Sequence, residues 1–311
     1  MGRIRQSERG RVLFFCPLPH TGHMRKLRLG LIFSRIRHEE KLLILAAQRR
    51  KDVELVLLNT NGLVLDLDAL PEVDVVLDRE ISQSRALHVL NMLERNGVRT
   101  INSFAAARIG GDKILTSNCL RKAGVPTPRI KVAFTRESAL NAIESLGYPV
   151  VLKPVDGSWG RLMAMIETRT AAEAILEHKT HLSSHYHGIF YLQEYVNKPG
   201  RDIRAYVIDG ETVCATYRSA DHWLTNAALG GKTFACPVTP DLNELSVRAC
   251  QSVGGDAIAV DLMETKDGLT VHEVNCAMEF KASMEAVQLD LPALLIEYCV
   301  RIALRQKERN R

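Results

Sequence analysis

The chain has 311 residues, of which 46% are apolar and 25% charged, a composition typical of globular proteins that excludes a disordered chain. Its 41 lysines and arginines outnumber its 36 aspartates and glutamates, a mild excess that favours an acidic partner or an anionic substrate. Only 5% of the residues are aromatic and no interior basic run occurs, so we expect no nucleic-acid partner. No apolar stretch approaches the roughly 18 residues of a membrane span, so we expect no membrane partner.

The cysteines and the N-terminal segment bear on the compartment. The seven cysteines are an odd number without a C-x-x-C pair, which favours reduced thiols and a cytoplasmic protein. Residues 1–27 contain several arginines before a short apolar run that Pro17 and Pro19 interrupt. This pattern does not fit a signal peptide, and we expect a disordered N-terminal extension.

From residue 28 onward, strand-like and helix-like segments alternate, which is typical of an α/β protein. Strands are predicted at 28–33, 53–58, 73–77 and 98–101, and helices at 39–50 and 83–96. Residues 28–111 are therefore expected to form one domain around a small parallel sheet.

Residues 112–190 are expected to form a small middle domain. Helices are predicted at 113–123, 137–146 and 171–181, and strands near Lys131 and at 148–152 and 162–167. A glycine-containing loop at 156–160 separates the last two strands. Two apolar strands around such a loop indicate a flap.

Residues 191–305 are expected to form an α+β C-terminal domain, followed by a basic tail at 306–311. The segments 189–196, 203–208 and 212–217 indicate consecutive antiparallel strands, with a tight turn at Asp209-Gly210. A loop is predicted to about residue 239, then a helix at 242–253, strands at 257–263 and 269–275, and a terminal helix at 292–305.

The last two predicted strands carry acidic residues that point to a metal. If Lys266-Asp267-Gly268 form a three-residue turn, Asp261 lies opposite Glu273, and Asn275 shares the face of Glu273 because side chains alternate. Two opposed carboxylates repel each other, so they require a cation. Three oxygen ligands suit Mg2+. The alternative is that one carboxylate pairs with a nearby lysine or arginine.

Phosphate-binding residues are less obvious, since the chain has neither a G-x-x-x-x-G-K-[ST] loop nor a G-x-G-x-x-G loop after a strand. The glycines of the flap could bring backbone N–H groups to a phosphate, although a plain hairpin turn fits the same pattern. Lys153 ends an apolar strand and Lys113 lies in the first turn of a helix. Each either binds phosphate or is an ordinary surface lysine.

Taken together, these residues resemble the ATP-grasp ligases, specifically the RimK-type amino-acid ligases, over nearly all of residues 28–303. Within that group the chain is most similar to the LysX branch. The motifs that carry this resemblance are Ser82-Gln83-Ser84-Arg85, Gly157-Ser158-Trp159-Gly160-Arg161, residues 198–204, residues 222–226 and Met278-Glu279-Phe280-Lys281. The resemblance implies an ATP-grasp fold preceded by a parallel-sheet pre-ATP-grasp domain.

The resemblance also implies roles for individual residues, with ATP and two Mg2+ ions, or Mn2+ in their place, as cofactors. Lys113, Lys153 and the flap residues Gly157, Ser158, Trp159, Gly160, Arg161 and Leu162 would contact phosphates, Gln193, Glu194, Tyr195 and Val196 the adenine, and Asp202 the ribose. Asp261, Glu273 and Asn275 would bind the metal, and Arg218 and Asn226 would stabilise the transferring phosphoryl group. The substrate-facing positions would be Ser84, Arg85, Ala227, Glu279, Phe280, Lys281 and Ser283.

The activity implied is carboxylate–amine ligation through an acyl phosphate. In the LysX branch, α-aminoadipate is joined to the C-terminal glutamate of a small acidic carrier protein, LysW, in lysine biosynthesis. The alternatives are a glutamate–LysW ligase of arginine biosynthesis, a RimK-like α-L-glutamate ligase acting on another protein or cofactor, and a non-catalytic nucleotide-binding protein. The resemblance favours a homo-oligomer. Residues 282–291 depart from the branch's pattern, which leaves the amino acid open.

Overall fold

The computed structural model describes residues 25–157, 161–181, 188–225 and 231–309, which form three sheets with helices packed against them. Several predictions therefore concern positions outside the described residues: residues 1–24 of the extension expected at 1–27, the flap residues Ser158, Trp159 and Gly160, and Asn226 and Ala227. Residues 25–27 of that extension are described, and Leu27 already belongs to the first strand. No helix within the described ranges is long and apolar enough to cross a membrane.

The first sheet is parallel, as predicted, and its strand order is β2-β1-β3-β4. Its strands are β1 (Leu27–Phe33), β2 (Val53–Asn59), β3 (Val75–Asp78) and β4 (Arg99–Ile101). The helices are α1 (His38–Gln48), α2 (Gln83–Arg95) and the unpredicted α3 (Phe104–Gly110). β1 is buried on both faces, which explains its almost continuous apolar sequence.

The middle sheet is antiparallel, with the order β5-β8-β6-β7. Its strands are β5 (Ile130–Ala133), β6 (Val150–Lys153), β7 (Ala164–Ile166) and β8 (Phe190–Glu194), with helices α5 (Arg136–Leu146) and α6 (Arg169–Thr180). The preceding helix, α4 (Lys113–Lys122), packs against the core of the third sheet instead. β8 pairs with β5 and β6, so the predicted pairing of this segment with the next strand is wrong. An apolar pattern reveals a strand but not its partner. The predicted boundary between the middle and C-terminal domains, at residues 190 and 191, falls within β8.

The third sheet is also antiparallel and has the order β11-β10-β9-β12-β13. Its strands are β9 (Arg201–Ile208), β10 (Glu211–Ser219), β11 (Lys232–Cys236), β12 (Ala257–Thr265) and β13 (Gly268–Asn275). The helices are α7 (Pro240–Ser252) and α8 (Lys281–Val287), whereas the terminal helix α9 (Leu291–Arg309) packs mainly against α1 and the parallel sheet. The prediction missed β11, an edge strand that is mostly exposed, and the short α8. Residues 306–309 belong to α9 instead of forming a separate tail.

The hairpin of β12 and β13 differs from its predicted form. Thr265 pairs with Gly268, so the turn has two residues instead of three. A bulge at His272 then shifts the register, because Leu262 pairs with Val271 while Asp261 pairs with Glu273. The predicted opposition of Asp261 and Glu273 is confirmed, but the bulge produces it and the turn does not.

Asn102 ties the parallel sheet to the third sheet. Its Oδ1 accepts hydrogen bonds from the backbone N–H groups of Asp256 and Ala257, at 2.7 and 2.9 Å. Its Nδ2 donates to the carbonyls of Ala257 and Cys276, at 2.7 and 2.8 Å. The side chain is 3% exposed, so these backbone groups have little access to water if it is removed.

We expect Asn102→Ala to lower the free energy of unfolding by roughly 2–4 kcal/mol, because it leaves several buried polar groups unpaired. Urea or thermal unfolding checks this against Asn141→Ala, which truncates an exposed asparagine on α5. Equal stability of the two variants would contradict the inference that the hydrogen bonds of Asn102 stabilise the contact between the two sheets.

Candidate active site

A cleft lies between the middle sheet and the third sheet, with a volume of about 690 Å³ including its open mouth. This size is within the range of small-molecule sites. The cleft brings together many of the predicted site residues: Lys113, Lys153, Gly157, Arg161, Gln193, Tyr195, Val196, Asp202 and Glu273. Val151, Met163 and Met263 add apolar wall, which suits a flat aromatic ring.

Two predicted phosphate contacts, Lys113 and Lys153, meet at one end of this cleft. Lys113 begins α4 and donates from Nζ to the Gly157 carbonyl at 2.9 Å, with Glu273 Oε1 at 3.7 Å. Lys153 ends β6 and is 4% exposed. Burial lowers the pKa of Lys153 to about 8. Among the described residues no carboxylate lies within 4.0 Å of its ammonium, so this charge is available to an anion.

Asp202 lies at the centre of a buried group of cations. Its Oδ1 accepts a hydrogen bond from Arg218 Nε at 2.7 Å. Its Oδ2 accepts one from the Thr225 hydroxyl at 2.6 Å and lies 3.5 Å from Lys198 Nζ. Asp202 is 1% exposed, so both of its oxygens are engaged within the protein. The predicted ribose contact would have to compete with these donors.

The three predicted metal ligands are close together on the third sheet. Asp261 receives a two-pronged ion pair from Arg204, with both N–O distances 2.7 Å, and Arg218 Nη2 lies 3.2 Å from its Oδ2. Burial raises the pKa of Asp261, but the two guanidinium groups outweigh this effect and hold the pKa well below its usual value. Asn275 Nδ2 lies 3.4 Å from Asp261 Oδ2.

The donor set fits a hard divalent cation. A carboxylate has about four lone-pair positions, and the two hydrogen bonds from Arg204 occupy half of those of Asp261. Glu273 is less engaged, with Lys113 at 3.7 Å, so it is the more available ligand. Two carboxylates and an amide are the oxygen donors that Mg2+ prefers. The alternative weighed from the sequence, in which a carboxylate pairs with arginine, also holds for Asp261.

Three further residues line the cleft, Lys198, Thr225 and His272. Sequence reasoning placed Lys198 and Thr225 within family motifs but gave them no role, and it missed His272. His272 is the extra residue of the bulge, and its Nε2 is buried without a hydrogen-bond partner among the described residues. Burial lowers the pKa of His272 to about 3, so the imidazole is neutral. The bulge could not be predicted from the sequence, because one extra residue in a strand does not change its apolar character.

The predicted substrate-facing residues that the structure describes lie outside this cleft. Ser84 and Arg85 are exposed on α2, where Arg85 Nη1 donates to Asn61 Oδ1 at 2.7 Å. Glu279 pairs with Arg37 at 3.0 Å, and Lys281 is exposed. The other two are buried: Phe280 belongs to the core, and the Ser283 hydroxyl lies 2.7 Å from Tyr206 Oη and 3.0 Å from Thr216 Oγ1.

Two further residues that were predicted to bind the nucleotide, Glu194 and Leu162, do not line the cleft. The Glu194 carboxylate accepts from the Arg129 side chain and backbone, at 2.6 and 2.7 Å. Leu162 is 67% exposed and has a left-handed backbone, with φ of 56°. The side chain of Glu194 is therefore engaged elsewhere, which leaves its backbone as the part able to reach an adenine.

Comparison with known proteins decides the family. The model of the RimK-like ATP-grasp domain matches residues 110–299, and that of the LysX preATP-grasp domain matches residues 29–109. The chain belongs to the RimK-like ATP-grasp ligases. This ligase is 35% identical to the α-aminoadipate–LysW ligase LysX of Saccharolobus solfataricus, over 76% of this chain and 86% of that protein. It is 36% identical to the glutamate–LysW ligase ArgX of Sulfurisphaera tokodaii, over 88% and 98%.

Solved structures agree with the expected ATP-grasp fold. A RimK domain ATP-grasp protein from Sphaerobacter thermophilus is 28% identical and superposes with a TM-score of 0.73, over 88% of this ligase and 99% of that chain. The D-alanine–D-alanine ligase of Bacillus anthracis solved with ATP is 18% identical, with a TM-score of 0.67 over 92% of this chain and all of that one. The second likeness concerns the fold alone.

We expect the affinity of the ligase for MgADP to fall as the pH rises through about 8, the pKa to which burial lowers Lys153. The ammonium is charged below this pH and attracts phosphate, whereas the amine above it does not. Isothermal titration calorimetry between pH 7 and 9 measures this trend. Lys153→Met should bind more weakly and lack the trend. A parallel pH dependence in both proteins would show that another group causes it.

Proposed function

We propose that this ATP-grasp ligase joins the amino group of α-aminoadipate to the C-terminal glutamate of a small acidic LysW-like carrier protein. ATP would first phosphorylate the carboxylate of that glutamate. The amine would then attack the resulting acyl phosphate. The observation that carries the proposal is the charged cleft, in which Lys113, Lys153, Asp261 and Glu273 converge in a chain whose N-terminal part matches the LysX preATP-grasp domain.

The charge balance of the cleft supports a polyphosphate ligand. Apart from Arg161 of the flap, the cleft and the ion pairs beside it contain five cations, Lys113, Lys153, Lys198, Arg204 and Arg218. They face the three carboxylates Asp202, Asp261 and Glu273, which leaves an excess of two positive charges (5 − 3 = 2). Buried charges are unfavourable unless they are paired. An anionic nucleotide would satisfy this excess, which a neutral ligand could not do.

The chemistry requires two transfers. A carboxylate oxygen attacks the γ-phosphorus of ATP, the bond to the β-phosphate oxygen breaks, and ADP leaves. The amine then attacks the acyl carbon, the bond to the phosphate oxygen breaks, and an amide and inorganic phosphate form with loss of a proton from nitrogen. No side chain is needed as a nucleophile.

The residues of the cleft have electrostatic tasks in this scheme. Lys113 and Lys153 would hold phosphate oxygens, and Arg218 would place positive charge where negative charge develops. Asp261, Glu273 and Asn275 would hold Mg2+, which when bound offsets phosphate charge. Enclosure by the two sheets would keep water from the acyl phosphate.

The mild basic excess of the chain favours an acidic carrier, because opposite charges steer association. The comparisons constrain the identity of the amino-acid substrate less than that of the carrier. The relatives LysX and ArgX are 35% and 36% identical to this chain, so overall identity does not separate α-aminoadipate from glutamate.

A second candidate is glutamate as the amine substrate, which the similarity to ArgX over 98% of that protein favours. The 282–291 segment also departs from the LysX pattern. Here α8 ends at Val287, followed by Gln288 in a left-handed conformation, with φ of 55°. Ligation of glutamate to another acceptor is a third possibility, since the tetrahydromethanopterin:α-L-glutamate ligase of Methanococcus maripaludis is 32% identical over 70% of this chain and 75% of that protein.

ADP release from the purified protein with ATP and Mg2+ should depend on both a carrier ending in glutamate and an amino acid, with α-aminoadipate preferred over glutamate. The measurement compares the two amino acids, each with and without the carrier. Preference for glutamate would select the second candidate, and release that does not depend on the carrier would select the third. No release under any condition would support a non-catalytic nucleotide-binding protein.

Glu273→Ala should reduce turnover by a factor of at least about 100, because it removes the less engaged metal ligand. The same measurement of ADP release, over a range of Mg2+ concentrations, gives the turnover of this variant. Glu244→Ala serves as the control, since it removes an exposed carboxylate on α7. Wild-type turnover in Glu273→Ala would refute the metal site.

A further inference from the structure

Lys198 is a cleft residue to which neither the sequence motifs nor the proposed chemistry assigns a contact. It follows β8 and lines the cleft together with Lys153, Asp202 and Thr225. Its side chain is 11% exposed, so it is not an ordinary surface lysine with a solvated end.

Two charged neighbours, Asp202 and Arg218, define the charge around Lys198. Its Nζ lies 3.5 Å from Asp202 Oδ2, but Asp202 already accepts a shorter bond, of 2.7 Å, from Arg218. One carboxylate therefore serves two cations. Burial also lowers the pKa of Lys198, which is the effect of an ammonium held away from water with too little compensating charge.

The hydrogen bonds of Lys198 leave one direction open. An ammonium has three donors. One reaches Thr225 Oγ1 at 2.6 Å and a second faces Asp202, while the Thr225 hydroxyl itself donates to Asp202. This closed set of contacts fixes the side chain. No described residue accepts from the third donor.

We propose that Lys198 is a ligand-binding residue of this cleft and donates to an oxyanion, either a phosphate oxygen of ATP or the carboxylate to be activated. Both ligands present the same chemistry, a negatively charged oxygen that compensates the excess cation. Asp202 and Thr225 act as positioning residues that hold the ammonium in place. This inference rests on the proposed use of ATP and a carboxylate in the cleft.

The test is Lys198→Met, which keeps the apolar stem and removes the charge. Its control is Lys266→Met, the same change at an exposed turn residue of the same sheet. Calorimetry measures the dissociation constants of MgADP and of Mg-AMP-PNP, and steady-state kinetics measures KM for a carrier ending in glutamate. Loss of one charge-assisted hydrogen bond should weaken binding about tenfold or more.

The two ligand sources give different results. If Lys198 binds a nucleotide phosphate, the dissociation constant of Mg-AMP-PNP rises, and that of MgADP rises with it unless the contact is to the γ-phosphate. If Lys198 binds the carboxylate, both nucleotide constants stay unchanged and KM for the carrier rises. Lys198→Arg, which keeps the charge, should recover part of the loss in either case.

The inference is overturned if Lys198→Met matches Lys266→Met in both nucleotide constants and in KM. A thermal melt confirms that the variant is folded, and Lys198→Gln replaces it if the methionine variant melts well below the wild type. A wild-type protein that binds no Mg-AMP-PNP would overturn the proposed function and this inference together. A wild type that binds and turns over, beside an unaffected Lys198→Met, would overturn this inference alone.

Discussion

The cleft depends on a buried run of alternating charges across the third sheet. Arg218 on β10 faces Asp202 on β9, and Arg204, two residues further along β9, faces Asp261 on β12. Both are direct cross-strand pairs with N–O distances of 2.7 Å. Buried ions are costly alone and tolerable only when paired. Removal of any one of them would leave another charge uncompensated next to the site.

This arrangement also explains how the site can be rigid and charged at once. The guanidinium groups have fixed planar donors, so they hold the carboxylates in one orientation. The neighbouring lysines have fewer ionic partners. Lys153 has no carboxylate within 4.0 Å among the described residues, and Lys198 shares Asp202 with Arg218. Rigid ion pairs beside ammonium groups that face the cleft suit the proposed task of holding phosphate through a transfer.

The positions assigned to the amino acid by the family resemblance are separate from the cleft proposed for ATP. The cleft proposed for the nucleotide lies between the middle and third sheets, whereas the described residues that the family resemblance assigns to the amino acid lie on α2, in the segment before α8 and on α8. Arg79 and Tyr206 hold that segment by donating to the carbonyls of Met278 and Glu279, both at 2.8 Å. Its backbone is thus held by residues of both the parallel-sheet domain and the third sheet.

The sequence by itself determined the alternation of elements, the parallel first sheet, the family, and Lys113, Lys153, Asp261 and Glu273 as residues that meet in one place. These features depend on local patterns and on motif spacing, which are written along the chain. Only the tertiary structure decided that β8 pairs within the middle sheet, that a bulge at His272 sets the register of the acidic pair, and that Asp202 is saturated by Arg218 and Thr225. Strand partners, bulges and buried hydrogen bonds arise from contacts between distant segments, and no local pattern encodes them.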